Sequence, residues 1–293
     1  MAGSNTQFEQ FLQGEVEKYR GVAVPLRASL LERALVRRVN IKKLHPNPGD
    51  EFCMPEIGPH FGIISNYCEA IRNAQNYGTG EFFNEPLTVE KMSPDGYMIL
   101  NGHHRWAACL RSGINKVTIE IVNTTHEADI RSMLQSTDNH RRVTLDLDEV
   151  VFRPQGDKAV EKRRLFALRP LERKPMRLGI PALFRFLSSK GYDVWVYTKN
   201  FYSLDDVEHC FESRHAGVTG VVTGTGRKTV KSLGTGDQAE NLIADKYDMT
   251  IHIDNDMLLK TSRKTGEFEE FPLKGTAGDW SREIMDIIQG MKE

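Results

Sequence analysis

Arg142-Val143-Thr144-Leu145-Asp146-Leu147-Asp148 decides the reading of this chain. The run is apolar, β-type and closed by carboxylates, which marks a buried strand with a polar end. Two later stretches repeat the arrangement: Asp193–Tyr197 runs into Thr198, and Thr250–Ile253 runs into Asp254. Between them, helical spacing predicts helices near 177–190, 204–214 and 239–246. Strands alternating with helices predict a parallel sheet, and such sheets bind ligands at the carboxyl ends of their strands. Asp146, Thr198 and Asp254 are thereby expected at one edge.

Residues i and i+2 of an extended segment face the same way, so Asp146 and Asp148 are expected to project together. Asp254 and Asp256 are expected to do the same. Four carboxylates at one edge repel unless a hard cation sits among them, and magnesium suits oxygen ligands. A carboxylate beside that ion can attack phosphorus, and its neighbour two residues on can protonate the leaving oxygen and then activate water. Thr198 is expected to hold a phosphoryl oxygen, and a lysine to neutralise the developing charge.

Leu-Asp-Leu-Asp-Glu-Val at 145–150, Val-Tyr-Thr-Lys-Asn at 196–200 and Ile-His-Ile-Asp-Asn-Asp at 251–256, in that order, resemble the haloacid dehalogenase (HAD) superfamily of phosphatases. The resemblance covers about 142–293. It implies a Rossmann-like domain with Asp146 as nucleophile, Asp148 as general acid/base, Thr198 on the phosphoryl group, and a magnesium site from Asp146, Asp148, Asp254 and Asp256. It also implies a lysine before the last acidic strand. Lys228, Lys231 and Lys246 compete for that role, with Lys231 preferred because it lies upstream of the 239–246 helix. Lys246 sits where the helix dipole alone would favour a lysine. No large insertion interrupts the segment, so an open site without a bulky cap is expected.

The N-terminal half reads differently. A helical extension over 1–38, with helices at 5–20 and 26–38, precedes a strand at Val39–Leu44 and the loop His45-Pro46-Asn47-Pro48-Gly49-Asp50. A helix is expected over His60–Asn76. Strands at Pro86–Lys91 and Tyr97–Asn101 flank the turn Ser93-Pro94-Asp95-Gly96. Gly102 then opens a helix from His103 to Arg111, a strand follows at Val117–Val122, and 124–141 reads as a linker helix. A helix start attracts anions, glycine permits close approach, and His103, His104 and Arg105 add donors, so a phosphate cradle is expected there.

With Pro46-Asn47-Pro48, the hairpin and Gly102-x-x-Arg105, residues 39–123 resemble the ParB/sulfiredoxin fold, an α+β domain. His103 stands where the sulfiredoxin branch has its reactive cysteine. Gly102-His103-His104-Arg105 is closer to the free-serine kinases of this fold than to the Gly-Glu-Arg-Arg turn of chromosome-partitioning ParB. That resemblance implies a bound nucleotide (ATP, ADP or CTP) and a carboxylate that deprotonates an alcohol. Glu56 is its best match, with Glu51 and Asp50 as rivals.

Composition narrows the field. With 39% hydrophobic and 27% charged residues the chain suits globular domains, and a net charge of −1 gives bulk-charge binding to nucleic acid no support. Four scattered cysteines fit neither a disulfide framework nor a zinc site, so a reduced, cytoplasmic protein is expected. No segment of 18 apolar residues suggests a membrane partner. The economical expectation is a bifunctional phosphotransfer enzyme, with a magnesium phosphatase acting on a small phosphoester and a nucleotide-dependent kinase acting on a small alcohol. The alternative is a phosphatase regulated by a non-catalytic nucleotide-sensing or nucleic-acid-binding domain.

Overall fold

The computed structural model describes residues 2–77, 83–162, 167, 169–225, 235–274 and 278–291. Among these the chain divides into two compact units, one ending at Asn123 and the other beginning at Thr124. No described helix is long and apolar enough to cross a membrane.

The first unit holds six strands: β1 (Val24–Pro25), β2 (Arg38–Asn40), β3 (Leu44–His45), β4 (Leu87–Ser93), β5 (Tyr97–Asn101) and β6 (Lys116–Ile121). They form one mixed sheet in the order β2-β6-β4-β5-β3, with β1 antiparallel on β4. Its helices are α1 (Ala2–Tyr19), α2 (Leu30–Leu35), α3 (Phe61–Tyr77) and α4 (His103–Arg111). Leu12 and Val16 of α1, Ile64 and Ile71 of α3, and Trp106 to Cys109 of α4 share a core with Val89, Ile99 and Ile119. Among the described residues, 2–38 are therefore part of the domain and not an extension. The helix expected over 26–38 shrinks to α2, because Leu26 N bonds Lys91 O along the sheet edge and Ser29 Oγ caps Glu32 N at 3.1 Å. The strand expected at Val39–Leu44 breaks at a 3₁₀ turn, Ile41–Lys43, which Asn40 caps through Lys42 N.

The second unit is a six-stranded sheet covered on both faces. Its strands are β7 (Arg141–Asp146), β8 (Tyr192–Tyr197), β9 (Gly220–Val222), β10 (Met249–Ile253), β11 (Met257–Ser262) and β12 (Phe268–Pro272), in the order β12-β11-β10-β7-β8-β9. The four from β9 to β10 are parallel, whereas β11 and β12 continue as an antiparallel meander. Helices α6 (Ile180–Ser189), α7 (Leu204–Glu212) and α9 (Trp280–Gly290) bury Leu183, Phe184, Val207, Phe211 and Ile284 against Val143, Leu145, Val194 and Val196. Helices α5 (Glu127–Gln135) and α8 (Thr235–Lys246) cover Trp195 and Tyr197 on the other face. The chain winds outward through β7, β8 and β9, then crosses back to place β10 on the far side of β7. This doubly wound order leaves a crevice beyond the carboxyl ends of β7 and β10.

The segment 124–141 is not a linker. Ile130 is buried, and with Met133 and Leu134 it packs on Trp195, Ile243 and Tyr247. Thr125 Oγ1 donates to Val221 O at 3.0 Å, and Thr137 and Asn139 donate to Asp193 Oδ1 at 3.0 and 2.8 Å. The stretch looks polar because its polar groups are spent on the sheet.

Candidate functional site

The strand expected to carry both Asp146 and Asp148 stops at Asp146. Asp146 Oδ1 accepts the backbone N–H groups of Asp148 and Glu149 at 2.8 and 2.7 Å and caps a π-turn over Leu147–Val151. The two carboxylates therefore do not stand side by side on an extended chain. Asp148 is turned back by the cap onto the neighbouring strand end. There Thr198 Oγ1 and Asn200 Nδ2 donate to its Oδ2 at 2.6 and 2.8 Å, while Tyr202 OH and Lys174 Nζ donate to its Oδ1 at 2.7 and 3.2 Å. Burial pushes the Asp148 carboxyl up, but the bonds from Thr198, Tyr202 and Asn200 and the Lys174 charge outweigh it and hold the group below the usual carboxylate range. Burial, then the Asp148 hydrogen bond and charge, raise the Tyr202 phenol well above its ordinary value.

Asp254 follows β10, whose Ile253 lies opposite Leu145 of β7, so Asp146 and Asp254 leave adjacent parallel strands at the crevice. Asp254 and Asp256 also do not repeat an extended pair. Asp254 N bonds Met257 O at 2.9 Å, which makes residues 254–257 the hairpin turn from β10 to β11. Asn255 in this turn accepts a hydrogen bond from Arg177 Nη2 and donates to Glu149 O at 3.3 Å. Burial and the neighbouring Arg153 lower Arg177 to about 10, so it is a full cation at neutral pH.

The expected four-carboxylate metal cage is not formed. Among the described residues no three His, Cys, Asp or Glu side chains converge on one point, because Asp148 is taken up by its four donors and Asp256 is exposed in the turn. What fits magnesium is a smaller donor set, Asp146 and Asp254 at adjoining strand ends. Magnesium is commonly held by one or two carboxylates with waters and substrate oxygens completing the shell.

Thr198 is 1% exposed and its hydroxyl serves Asp148, not an open phosphoryl position. Lys228 and Lys231 lie outside the described residues. Lys246 is far from the site, at the amino end of the sheet, where its Nζ bonds Leu134 O and, at 2.6 Å, Thr137 O. Among the described residues the lysine that reaches Asp148 is Lys174, a residue for which the sequence suggested no role. Tyr202 and Asn200 were missed too, although the polar run after Thr198 carried the signal.

In the first unit, Gly102 caps α4 with φ 101°. A side chain there would meet Leu87 Cδ2 at 2.4 Å and the Arg105 guanidinium at 3.1 Å, so the position admits glycine alone. The three donors expected in a cradle are each engaged by the protein. His103 is buried, accepting Asn47 N at 3.1 Å through Nε2 while Nδ1 faces Asp50 Oδ2 at 3.4 Å, an assignment that fixes its tautomer. His104 Nε2 accepts His60 N at 3.2 Å. Arg105 Nη1 donates to Glu85 O at 2.6 Å and Pro86 O at 3.2 Å. Phe52 stacks on His103 and meets His104 edge-on. Glu56 is exposed on the turn 54–57, and among the described residues no contact joins it to this helix start. Of its rivals, Asp50 reaches His103.

Residues 62–137 match the ParB N-terminal domain. The first unit thus carries a ParB-like domain, and the match runs past Asn123 into α5. The C-terminally truncated chromosome-partitioning protein ParB from Caulobacter crescentus, solved with CTP-gamma-S, is 26% identical over 29% of this chain, with a TM-score of 0.23. The match spans 42% of that ParB chain. The C-terminal domain of the coenzyme A biosynthesis bifunctional protein CoaBC is 13% identical over 52% of this chain and 95% of its own, with a TM-score of 0.17. No curated protein matches the chain.

Proposed function

We propose that the second unit is a phosphoester hydrolase of the HAD type, working through an aspartyl-phosphate on Asp146. One observation carries this reading. Asp146 and Asp254 emerge on adjacent parallel strands at the crevice of a doubly wound sheet, and Thr198 holds Asp148 at the end of the next strand, β8. The Asp146 carboxylate attacks phosphorus, the bond from phosphorus to the ester oxygen breaks, and the leaving oxygen takes its proton from the protonated form of Asp148. Water then attacks the acyl phosphate, losing its proton to Asp148, and phosphate departs with Asp146 restored. As built, Asp148 is ionised and poised for that second half; to give a proton in the first half it must first take one up and loosen a donor. Magnesium, held by Asp146 and Asp254, would supply charge neutralisation at the phosphoryl oxygens.

For the ParB-like unit a nucleotide-sensing role fits better than the kinase reading, because Glu56, the expected base, is exposed and makes no contact with the helix start among the described residues. A nucleotide bound there would meet the start of α4 at Gly102, with His103, His104 and Arg105 shaping the turn from behind. ATP, ADP and CTP, the nucleotides that the resemblance implies, are the test ligands.

The test uses the whole chain. Phosphate release from a panel of phosphoesters is measured for wild type and Asp146→Asn, and ATP, ADP and CTP are titrated by calorimetry with product analysis. Hydrolysis lost in Asp146→Asn, with nucleotide bound and returned unchanged, is the expected result. Hydrolysis that survives in Asp146→Asn defeats the phosphatase reading, and a phosphorylated alcohol among the products restores the kinase.

A further inference from the structure

Asn255, between the two aspartates of the β10–β11 turn, is tied on every polar atom. Its Oδ1 accepts Arg177 Nη2, its Nδ2 donates to Glu149 O at 3.3 Å, its carbonyl accepts Trp280 Nε1 at 3.0 Å, and its N–H donates to Asp254 Oδ1 at 2.6 Å. The bond to Glu149 O joins this turn directly to the π-turn that Asp146 caps. One amide side chain thereby couples the two acidic strand ends.

Arg177 is an unusual choice for the partner. It is 5% exposed, lies 4.2 Å over the Trp280 ring, and makes no direct ion pair among the described residues. Its Nε is buried without a hydrogen-bond acceptor. Burying a cation on such terms is costly, and packing against Trp280 alone would be served by an aliphatic side chain. What the guanidinium adds is a grip on Asn255 and a positive charge felt by Asp157 and then by Asp254.

We propose that Arg177 and Asn255 are positioning residues that hold the Asp254 turn against the Asp146 turn and so preset the spacing of a divalent cation's two carboxylates. This rests on the phosphatase reading of the site. Residues that orient metal ligands without touching the ion typically change metal affinity by about 10- to 100-fold when replaced.

The experiment measures Mn²⁺ binding to the full chain by electron paramagnetic resonance of the free ion, with no substrate present. Wild type, Asn255→Ala, Arg177→Met, the double variant and Asp254→Asn are compared, each checked for folding by circular dichroism and urea midpoint. Asn255→Ala and Arg177→Met are expected to weaken Mn²⁺ by about 10- to 100-fold, with the double variant no weaker than either single, as expected for two residues acting through one contact. Asp254→Asn is expected to lose the site. Wild-type Mn²⁺ affinity in a folded Asn255→Ala, while Asp254→Asn loses binding, overturns the positioning role alone. Mn²⁺ binding unchanged in Asp254→Asn, or absent from wild type, overturns the cation site and this role with it. If Arg177→Met fails to fold, Asn255→Ala decides.

Discussion

Lys174 lies over the ring of Tyr202, 4.6 Å from its centroid, and both side chains donate to the same oxygen of Asp148. A cation from the segment that bridges the π-turn and α6, a phenol that follows β8 and a carboxylate of the π-turn are thus locked together. Folding keeps Asp148 ionised to a lower pH than the unfolded chain does. Its network therefore contributes in full above the ordinary carboxylate range, about pH 4, and fades as pH falls below it. Tyr202→Phe should lower the urea midpoint at pH 7 and lose that difference toward pH 3. A difference of equal size at both ends would show that Tyr202 stabilises the fold through packing and not through Asp148.

Asp146→Asn should abolish phosphoester hydrolysis without unfolding the second unit, since the amide can still accept the N–H groups of Asp148 and Glu149 through its oxygen. Asp148→Asn should slow turnover by about 10²–10⁴-fold, the usual contribution of general acid–base catalysis. Steady-state phosphate release, with chemical-shift or circular-dichroism spectra as the folding control, checks both.

Gly102→Ala is expected to damage the ParB-like unit. The left-handed backbone costs a non-glycine residue about 1–3 kcal/mol, and the added methyl falls on Leu87, which is buried. Thermal unfolding should move down, and any nucleotide bound at the start of α4 should be lost with it. An unchanged transition would mean that α4 can reseat itself without this turn.

Cys109 lies on α4 in the core, and burial pushes its thiol up to about 12. At pH 8 only about one molecule in 10⁴ carries the thiolate. A thiol reagent should leave Cys109 unmodified in the native protein and label it on addition of urea. Mass spectrometry after brief labelling reads the outcome, and rapid native labelling would mean that α4 opens locally.

How much of this was legible in the sequence varies with the kind of signal. Of the parallel strands, β8 was visible because a strand buried on both faces reads as a nearly unbroken apolar run, and β7 and β10 because each is a β-type run closed by an aspartate. The meander β11–β12 was not, since apart from buried Leu258 its residues are half-exposed or exposed and the apolar run is broken by charge. β9 was hidden for a different reason: Gly220 has no side chain to signal burial, yet any Cβ there would strike the Trp195 ring at 2.3 Å. At the site, Asp146, Asp148, Thr198 and Asp254 could be named from strand ends. The orientation of Asp148 could not, because it depends on a side-chain cap that converts an expected strand into a turn. Lys174 comes from 26 residues beyond Asp148, and only tertiary structure brings it back. In the first unit the glycine turn was legible, whereas the engagement of His103, His104 and Arg105 by Asn47, His60 and Glu85 depends on contacts distant along the chain.

Asn123 and Thr125 are two residues apart and bond within different units. Asn123 exchanges two hydrogen bonds with the backbone of Ala28, at 2.8 and 3.0 Å, whereas Thr125 bonds Val221 and Thr223. Thr124 is where the chain changes allegiance. A gene split or a protease cut at this point would leave both of these clasps closed on their own halves. A cut at residue 140 would do the opposite, stripping α5 from Trp195, Ile243 and Tyr247 and leaving an apolar wound on one product and an orphan helix on the other.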